Sequence, residues 1–533
     1  MFLRTVCRAQ GAKAFHQNAN VRFLATQVEA AKGDKISQAD KQIDYANATP
    51  YSSIPGPSVM SMLRAGLPGG SCYKMAFDEV VRFYRRKYGD ILKFPGAFGN
   101  PESVITHNPD NFATVYRTEG PWPEAPAFHT LKYYREKIRP DIFGEHIGLL
   151  LAQGKKWADF RTVVNPIMMQ PKATQLYIPT IEKVAGDFIE RILKLRDPTT
   201  NQLPGNFEDE IHKWSLESIG VVALDTRLGL ISDKYSERGA KFLHSLTSFF
   251  RLVFELEFKP SLWRIIATPK FKEMMKVLDT MTDLSCEYVD EAKAKLEEKS
   301  KNDTNSHEES ILEKLLKIDP IIAKVMAMDM LFAGVDTTSS AFVAALYLLS
   351  KNPEKQEILR KELLIVLPDK NSSFTVDKMA RLPYLRACLK EGHRLYPVIN
   401  GELRRAGKDL VLDGYQIPKG TLVVMNSCEL LKDEHYFSDP TKFVPERWLK
   451  GEEMGAGCPA SQRTIHPFLL LPFGFGPRAC IGKRFADMEI EILIAKLVRN
   501  FYITWEYPDL KFKWKTLNAP DGKLTFTLTD VNY

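Results

Sequence analysis

Cys480 lies in the stretch FGFGPRACIG, residues 473–482, among three glycines, a proline and Arg478. Glycine at 474, 476 and 482 removes side-chain bulk and permits positive φ, so such a loop lets something large lie against the backbone. Apolar periodicity predicts a helix over 485–501, with Glu489 and Glu491 in its early turns. That sets Cys480 just ahead of a helix N-terminus. Backbone N–H groups there, together with the Arg478 cation, favour a thiolate over a thiol. A thiolate so placed is an electron-rich metal ligand. The plainer reading of the stretch by itself is a free cysteine filling a turn.

Three other groupings have chemistry in their spacing. Glu391 and Arg394 fall on one face of a helix, within reach of an ion pair, and a second arginine follows in Pro445-Glu446-Arg447-Trp448. Surface helices are full of such pairs, so this one carries weight only in company. The run Ala333-Gly334-Val335-Asp336-Thr337-Thr338 sets an acid beside a hydroxyl in an otherwise apolar stretch. Gly334 leaves room for a ligand to approach the helix. Thr337 either bonds a carbonyl one turn back or reaches toward that ligand. Trp157 and Arg161, at four-residue spacing, share a helical face and offer a guanidinium suited to a carboxylate.

Phe473, Gly476, Arg478, Cys480 and Gly482 complete the pattern F-x-x-G-x-R-x-C-x-G, which resembles the haem-ligand signature of the cytochromes P450. The resemblance spans residues 53–533 and implies haem b with the Cys480 thiolate as axial iron ligand, pushing electron density to favour O–O cleavage. It implies that Trp157, Arg161 and Arg478 contact the haem propionates. Arg404 is a third candidate, with its neighbour Arg405 leaving the choice open. Glu391, Arg394 and Arg447 would lock the scaffold behind the haem. Asp336 and Thr337 would handle protons in the oxygen pocket.

The elements that must position these residues are mostly helical. The expected fold is mainly α with small β-sheets, the P450 fold. Alternation over 90–94 and 103–106 predicts an early hairpin, and three- and four-residue returns predict helices over 176–193 and 207–223. Residues 266–299 read as a long surface helix. Residues 321–349 are apolar almost all round, which marks a helix buried in a large core or a membrane. Asp329, Gly334, Asp336 and the threonine pair argue against lipid, so this is the expected central helix. Two helical pieces are expected over 375–396, short strands over 403–425 with a turn at Asp413-Gly414, and strands over 501–533.

The first 28 residues carry Arg4, Arg8, Lys13 and Arg22 with no acid and no run of 18 apolar residues. That pattern fits a mitochondrial transit peptide and not a membrane-spanning anchor. The expected organisation is a transit peptide over 1–28, a linker over 29–52 and one haem-thiolate domain over 53–533. Seven cysteines, none spaced as CxxC, fit a reducing compartment. The net charge of +7 is spread along the chain. No zinc-finger spacing and no basic block interleaved with aromatics point to nucleic acid.

The resemblance implies a monooxygenase that places one atom of O2 in substrate and the other in water. No flavin or nicotinamide domain is read in the chain, so electrons are expected from a small acidic [2Fe–2S] ferredoxin served by an NADPH-dependent reductase. Lys483 and Arg484 follow the cysteine loop directly, and Arg386 and Lys390 precede Glu391; together they are a candidate docking patch for that ferredoxin. The location implied is the matrix side of the mitochondrial inner membrane, held peripherally. The segments expected to wall the substrate are mostly apolar: 126–150, the region after Phe249, 328–332, 398–400 and 519–522. They favour a lipophilic substrate. The stretch GLLLAQGKKWADFRTVVNPIMMQPKA resembles insect mitochondrial P450s associated with foreign compounds. The alternatives are an ecdysteroid or sterol hydroxylase of hormone synthesis, a haem-binding sensor or carrier without turnover, and a haem isomerase that needs no redox partner.

Overall fold

The structure is a computed structural model, and it describes residues 44–96, 100–232, 236–302, 308–369, 372–449 and 465–531. The chain divides into two compact units, Met1–Ala48 and Thr49–Tyr533. In the first, the described residues hold one helical turn, Tyr45–Asn47. The stretch 1–28, read as a transit peptide, lies outside the described residues.

In the second unit the longer helices are α1 (Val59–Gly66), α2 (Phe77–Tyr88), α3 (Pro109–Thr118), α4 (Gly154–Met168), α5 (Ile178–Leu195), α6 (Phe207–Leu224), α7 (Glu237–Val253), α8 (Pro269–Asn302), α9 (Pro320–Lys351), α10 (Pro353–Val366), α11 (Pro383–Leu395) and α12 (Lys483–Asn500). The strands are β1 (Ile91–Phe94), β2 (Ser103–Thr106), β3 (Gly401–Arg405), β4 (Leu410–Leu412), β5 (Tyr415–Ile417), β6 (Leu422–Asn426), β7 (Phe501–Thr504), β8 (Lys511–Trp514), β9 (Asn518–Asp521) and β10 (Thr527–Asp530). The architecture is the expected one, mainly α with small sheets.

Helix α9 runs through the middle. Asp319 caps its start by accepting from the N–H groups of Ile321 and Ile322, and Pro320 takes the first position, where its missing N–H costs nothing. The helix packs against α6, α11, α12 and α10. Among the described residues it is the one helix long and apolar enough to cross a membrane, yet 72% of its most apolar window is buried in protein. Its lack of a polar face is therefore that of a core helix.

The largest sheet has the order β1-β2-β6-β3, antiparallel except where β2 runs parallel to β6. Arg404 on β3 pairs in register with Val423 on β6. Because strand side chains alternate, Arg404 and Arg405 leave the sheet on opposite faces. Arg404 is buried. Arg405 is half-exposed and pairs with Glu124 at 2.9 Å. The strands thereby separate the two arginines that sequence reading left equivalent.

Candidate functional site

The cysteine loop is built by its backbone. Gly474 and Gly476 both take φ of +71°, and a Cβ on them would meet Glu402 Oε1 or Glu119 Oε1 at 2.8 Å. Gly482 sits in ordinary helical space at φ −85° and opens α12, and a Cβ there would meet the Cys480 sulfur at an ordinary 3.9 Å. The Cys480 N–H donates to the Phe473 carbonyl at 2.8 Å, closing the loop. Phe473 in turn packs against the His393 ring at 5.5 Å, and Lys483 places its ammonium 5.5 Å over the same face.

Cys480 is reachable by solvent and yet ringed by protein. Burial pushes its thiol up, against the N–H groups of Gly482 and Lys483 and the Arg161 cation, which all favour the thiolate. An accessible sulfur with donors that favour its anion suits a bound metal, whose charge would complete the deprotonation.

Arg161 faces this sulfur, and Arg478 neighbours both Arg161 and Arg404. Arg161 on α4 donates to the Ala479 carbonyl at 2.9 Å, while its Nε is buried without a partner. Burial lowers it to about 10, with the nearby Cys480 opposing. Arg478 donates to the carbonyls of Pro123 and Ala152 and to Gln153 Oε1, and lies 4.4 Å over the Trp157 indole. Burial first, and then its neighbours Arg404 and Arg161, lower Arg478 to about 9. Arg404 is held by Glu119 at 2.8 Å and Glu402 at 3.0 Å. Burial raises Glu119 to about 7 despite Arg404, and its Oε1 has no partner. Arg478, lowered by two neighbouring cations, and Arg161, with a buried Nε left unpaired, fit an anionic guest with two carboxylates, which is what haem b presents.

Behind the loop, Glu391 on α11 is the hub the spacing suggested. Its carboxylate accepts from Arg394 Nε and Nη2 at 2.9 and 2.8 Å, Arg447 Nε at 3.0 Å, the Trp448 indole at 2.8 Å and the Val444 N–H at 3.1 Å. Arg394 spends its remaining donors on the carbonyls of Leu431, Pro440 and Lys442. Glu391 and Arg394 are both fully buried. Every charge is therefore paired, the condition under which a buried ion cluster is tolerated.

On α9, Thr337 Oγ1 donates to the Ala333 carbonyl at 2.7 Å, the back-bonded choice. Asp336 does not stand alone: its Oδ1 lies 3.2 Å from His212 Nε2 on α6. The structure revises one sequence reading here. A Cβ on Gly334 would come within 2.7 Å of Ile219 Cγ1, so the missing side chain admits α6, not a ligand. Ser215, also on α6, donates to the Gly334 or Val335 carbonyl at 3.3 or 3.2 Å.

Arg386, Lys390, Lys483 and Arg484 are all exposed. Arg386, Lys483 and Arg484 share one neighbour, Asp487, and all three favour its charged form, while burial pushes it up to about 6. Lys390 places its ammonium 4.2 Å over the Trp448 indole.

Sequence reading missed His212, Glu119 and Glu402, and it missed Arg135, whose Nη1 pairs with Asp329 at 2.7 Å inside the core. Asp329 Oδ2 also accepts from the Leu149 N–H, tying the segment after residue 140 to α9. A lone acid on an otherwise apolar helix was the available signal, since a buried carboxylate demands a partner.

A sulfur at a helix head, faced by Arg161, in a mainly helical fold is an arrangement that fits a cysteine-ligated cofactor. The cytochrome P450 family model matches residues 50–527, and the chain belongs to that family. It is 46% identical over 497 residues to cytochrome P450 CYP12A2 of Musca domestica, covering 92% of this chain and 93% of that one. It is 45% identical over 517 residues to "Probable cytochrome P450 12a5, mitochondrial" of Drosophila melanogaster, covering 96% of each. The protein is therefore a P450 monooxygenase, a class that uses haem on a cysteine thiolate, O2 and a redox partner.

Proposed function

We propose that this chain is a mitochondrial monooxygenase that draws electrons from an acidic [2Fe–2S] ferredoxin and oxidises lipophilic small molecules, xenobiotics foremost. The observation that carries the reading is the accessible Cys480 sulfur at the head of α12, favoured as an anion by the N–H groups of Gly482 and Lys483 and by Arg161. Cys480 would hold the haem iron through its thiolate; Trp157, Arg161, Arg404 and Arg478 would hold the propionates; Phe473, Gly476 and Gly482 shape the loop. When bound, haem supplies the reduction of O2 and the insertion of one oxygen atom. The chain's own residues place the substrate and move protons, with Asp336 and Thr337 as the pair that holds and passes them.

Aromatic contacts support a lipophilic substrate. Phe249 lies 5.4 Å from Phe332 and 6.0 Å from Phe128, which joins three of the segments expected to wall the pocket. Asn518 bonds Val398 and Pro397, which joins two more. Exposed Met60 and Leu63 on α1, Leu67 just past its end, and Leu262, Ile265 and Ile266 after α7, support peripheral attachment to a membrane. Several relatives are named mitochondrial, which supports the same compartment, on the matrix side of the inner membrane.

The patch of Arg386, Lys483 and Arg484 supports an acidic electron donor, and Asp487 at its centre opposes one. Asp487→Asn is expected to tighten ferredoxin binding about two- to fivefold at low ionic strength, less as salt screens the patch. Asp487 takes up a proton near pH 6, so the advantage should be full above that pH and vanish below it. Titration of ferredoxin against both proteins at several pH values checks this.

Reconstitution tests the whole reading. Product should form with ferredoxin, its reductase and NADPH, and not with a microsomal flavoprotein reductase. Substrate-binding difference spectra should respond to lipophilic xenobiotics; a response to sterols alone would move the enzyme to hormone synthesis.

A further inference from the structure

We propose that His212 is the proton-relay residue of this enzyme, recharging Asp336 from the solvent side of α6. This rests on the assignment of Asp336 to proton handling. Among the described residues the one direct polar contact of the Asp336 side chain is with His212, Nε2 to Oδ1 at 3.2 Å. The other oxygen, Oδ2, is buried and has no hydrogen-bond partner, so Asp336 is held on one side and open on the other. A carboxyl group in that state can take a proton on one oxygen and, on rotating, present it elsewhere.

The surroundings of His212 favour a loaded imidazolium. It is faced by Asp336 from α9 and by Glu208 and Asp209 from the first turn of its own helix; Lys515, between β8 and β9, faces Glu208 in turn. Burial works against the charge, but the carboxylates outweigh it and hold the histidine above its ordinary value. Asp209 is exposed and Glu208 is half-buried, so the acidic turn of α6 connects His212 to water. In the step proposed, the Nε2–H bond breaks and an O–H bond forms on Asp336, with the electron pair staying on the ring. The neutral imidazole then takes a proton from solvent at the same nitrogen while Asp336 is turned away. One proton moves in each step and no electron does.

Ser215 and Ile219, one and two turns further along α6, hold α9 at Gly334 and Val335. The relay therefore sits on the same interface that fixes the position of Thr337, and small changes at 212 do not dislodge the helix.

The test compares His212→Gln, His212→Arg and Asp336→Asn in the reconstituted holoenzyme. His212→Gln is expected to cut the fraction of NADPH that ends in product about tenfold, well short of what losing a direct general acid costs. It should also raise the solvent isotope effect and flatten the pH profile near neutrality, with the carbon-monoxide spectrum unchanged. His212→Arg keeps the charge beside Asp336 but releases no proton, so it should behave like His212→Gln. Full activity with arginine would show a merely structural ion pair and overturn the proposal. Wild-type coupling and pH profile in His212→Gln, with Asp336→Asn impaired, would overturn it while leaving Asp336 in its role; a silent Asp336→Asn would overturn both.

A readout without turnover accompanies these. The double-mutant cycle of His212 and Asp336 in urea unfolding should show coupling at about pH 6 that declines as the pH is raised, because a histidine raised in the folded state stabilises only while it is protonated. No coupling at any pH would remove the pair from solution. If His212→Gln fails to fold, His212→Arg decides alone.

Discussion

Cys480→Ser is expected to fold, to lose the thiolate signature of the reduced carbon-monoxide spectrum, and to turn over at least about 100-fold more slowly. The side chain is open to solvent and one atom changes, so unfolding in urea should move by less than about 0.5 kcal/mol. The chemistry changes far more. The N–H groups of Gly482 and Lys483 and the Arg161 cation favour an anion at this position, but no arrangement of donors brings an alkyl hydroxyl into the thiolate's range. Serine therefore offers a neutral oxygen where the fold is built to hold a charged sulfur. A variant that kept the wild-type Soret position would take Cys480 out of the ligand role and, with it, the reading of the whole arginine cluster.

The loop was legible because its chemistry is local. Glycines, proline and Arg478 act on a backbone ten residues long, and their demands are written in order. Helix α9 was legible for the same reason: an apolar stretch without a polar face has one place to go, and the expected 321–349 became Pro320–Lys351. Partnerships across the fold were not legible. Gly334 shows in sequence only that a side chain is missing, and the structure shows that Ile219 fills the gap. Arg404 and Arg405 are equivalent until a sheet assigns their faces and Glu119 approaches one of them. His212 carries no mark in sequence, because what makes it matter is an aspartate on another helix. Asp329 and Asp336 did advertise a need, each being an acid in apolar surroundings; the sequence leaves open that Arg135 and His212 would answer it.

Glu391→Ala is expected to abolish accumulation of the folded protein, and Glu391→Gln to weaken it severely. The alanine variant leaves Arg394 and Arg447 buried with no counter-charge, and breaking a buried ion pair from one side costs about 3–5 kcal/mol. It also strands the Trp448 indole and the Val444 N–H, at about 1–3 kcal/mol for each buried donor. A domain's whole stability is about 5–15 kcal/mol, so the losses approach it. Glutamine fills the space but turns one acceptor into a donor, aimed either at Arg394 and Trp448 or at Arg394, Arg447 and the Val444 N–H, and so repels what glutamate bound. The damage should reach the cysteine loop, because α11 also carries His393, which burial lowers to about 4 and which packs, neutral, on Phe473. If α11 shifts, Phe473 loses its support and the carbonyl that fixes Cys480 moves with it. In Glu391→Gln the folded fraction should therefore show a carbon-monoxide band displaced from the thiolate position before tertiary structure is lost on warming, with the two transitions resolved by absorbance and near-ultraviolet circular dichroism. Coincident transitions would show that the hub serves global stability alone and does not act through the loop.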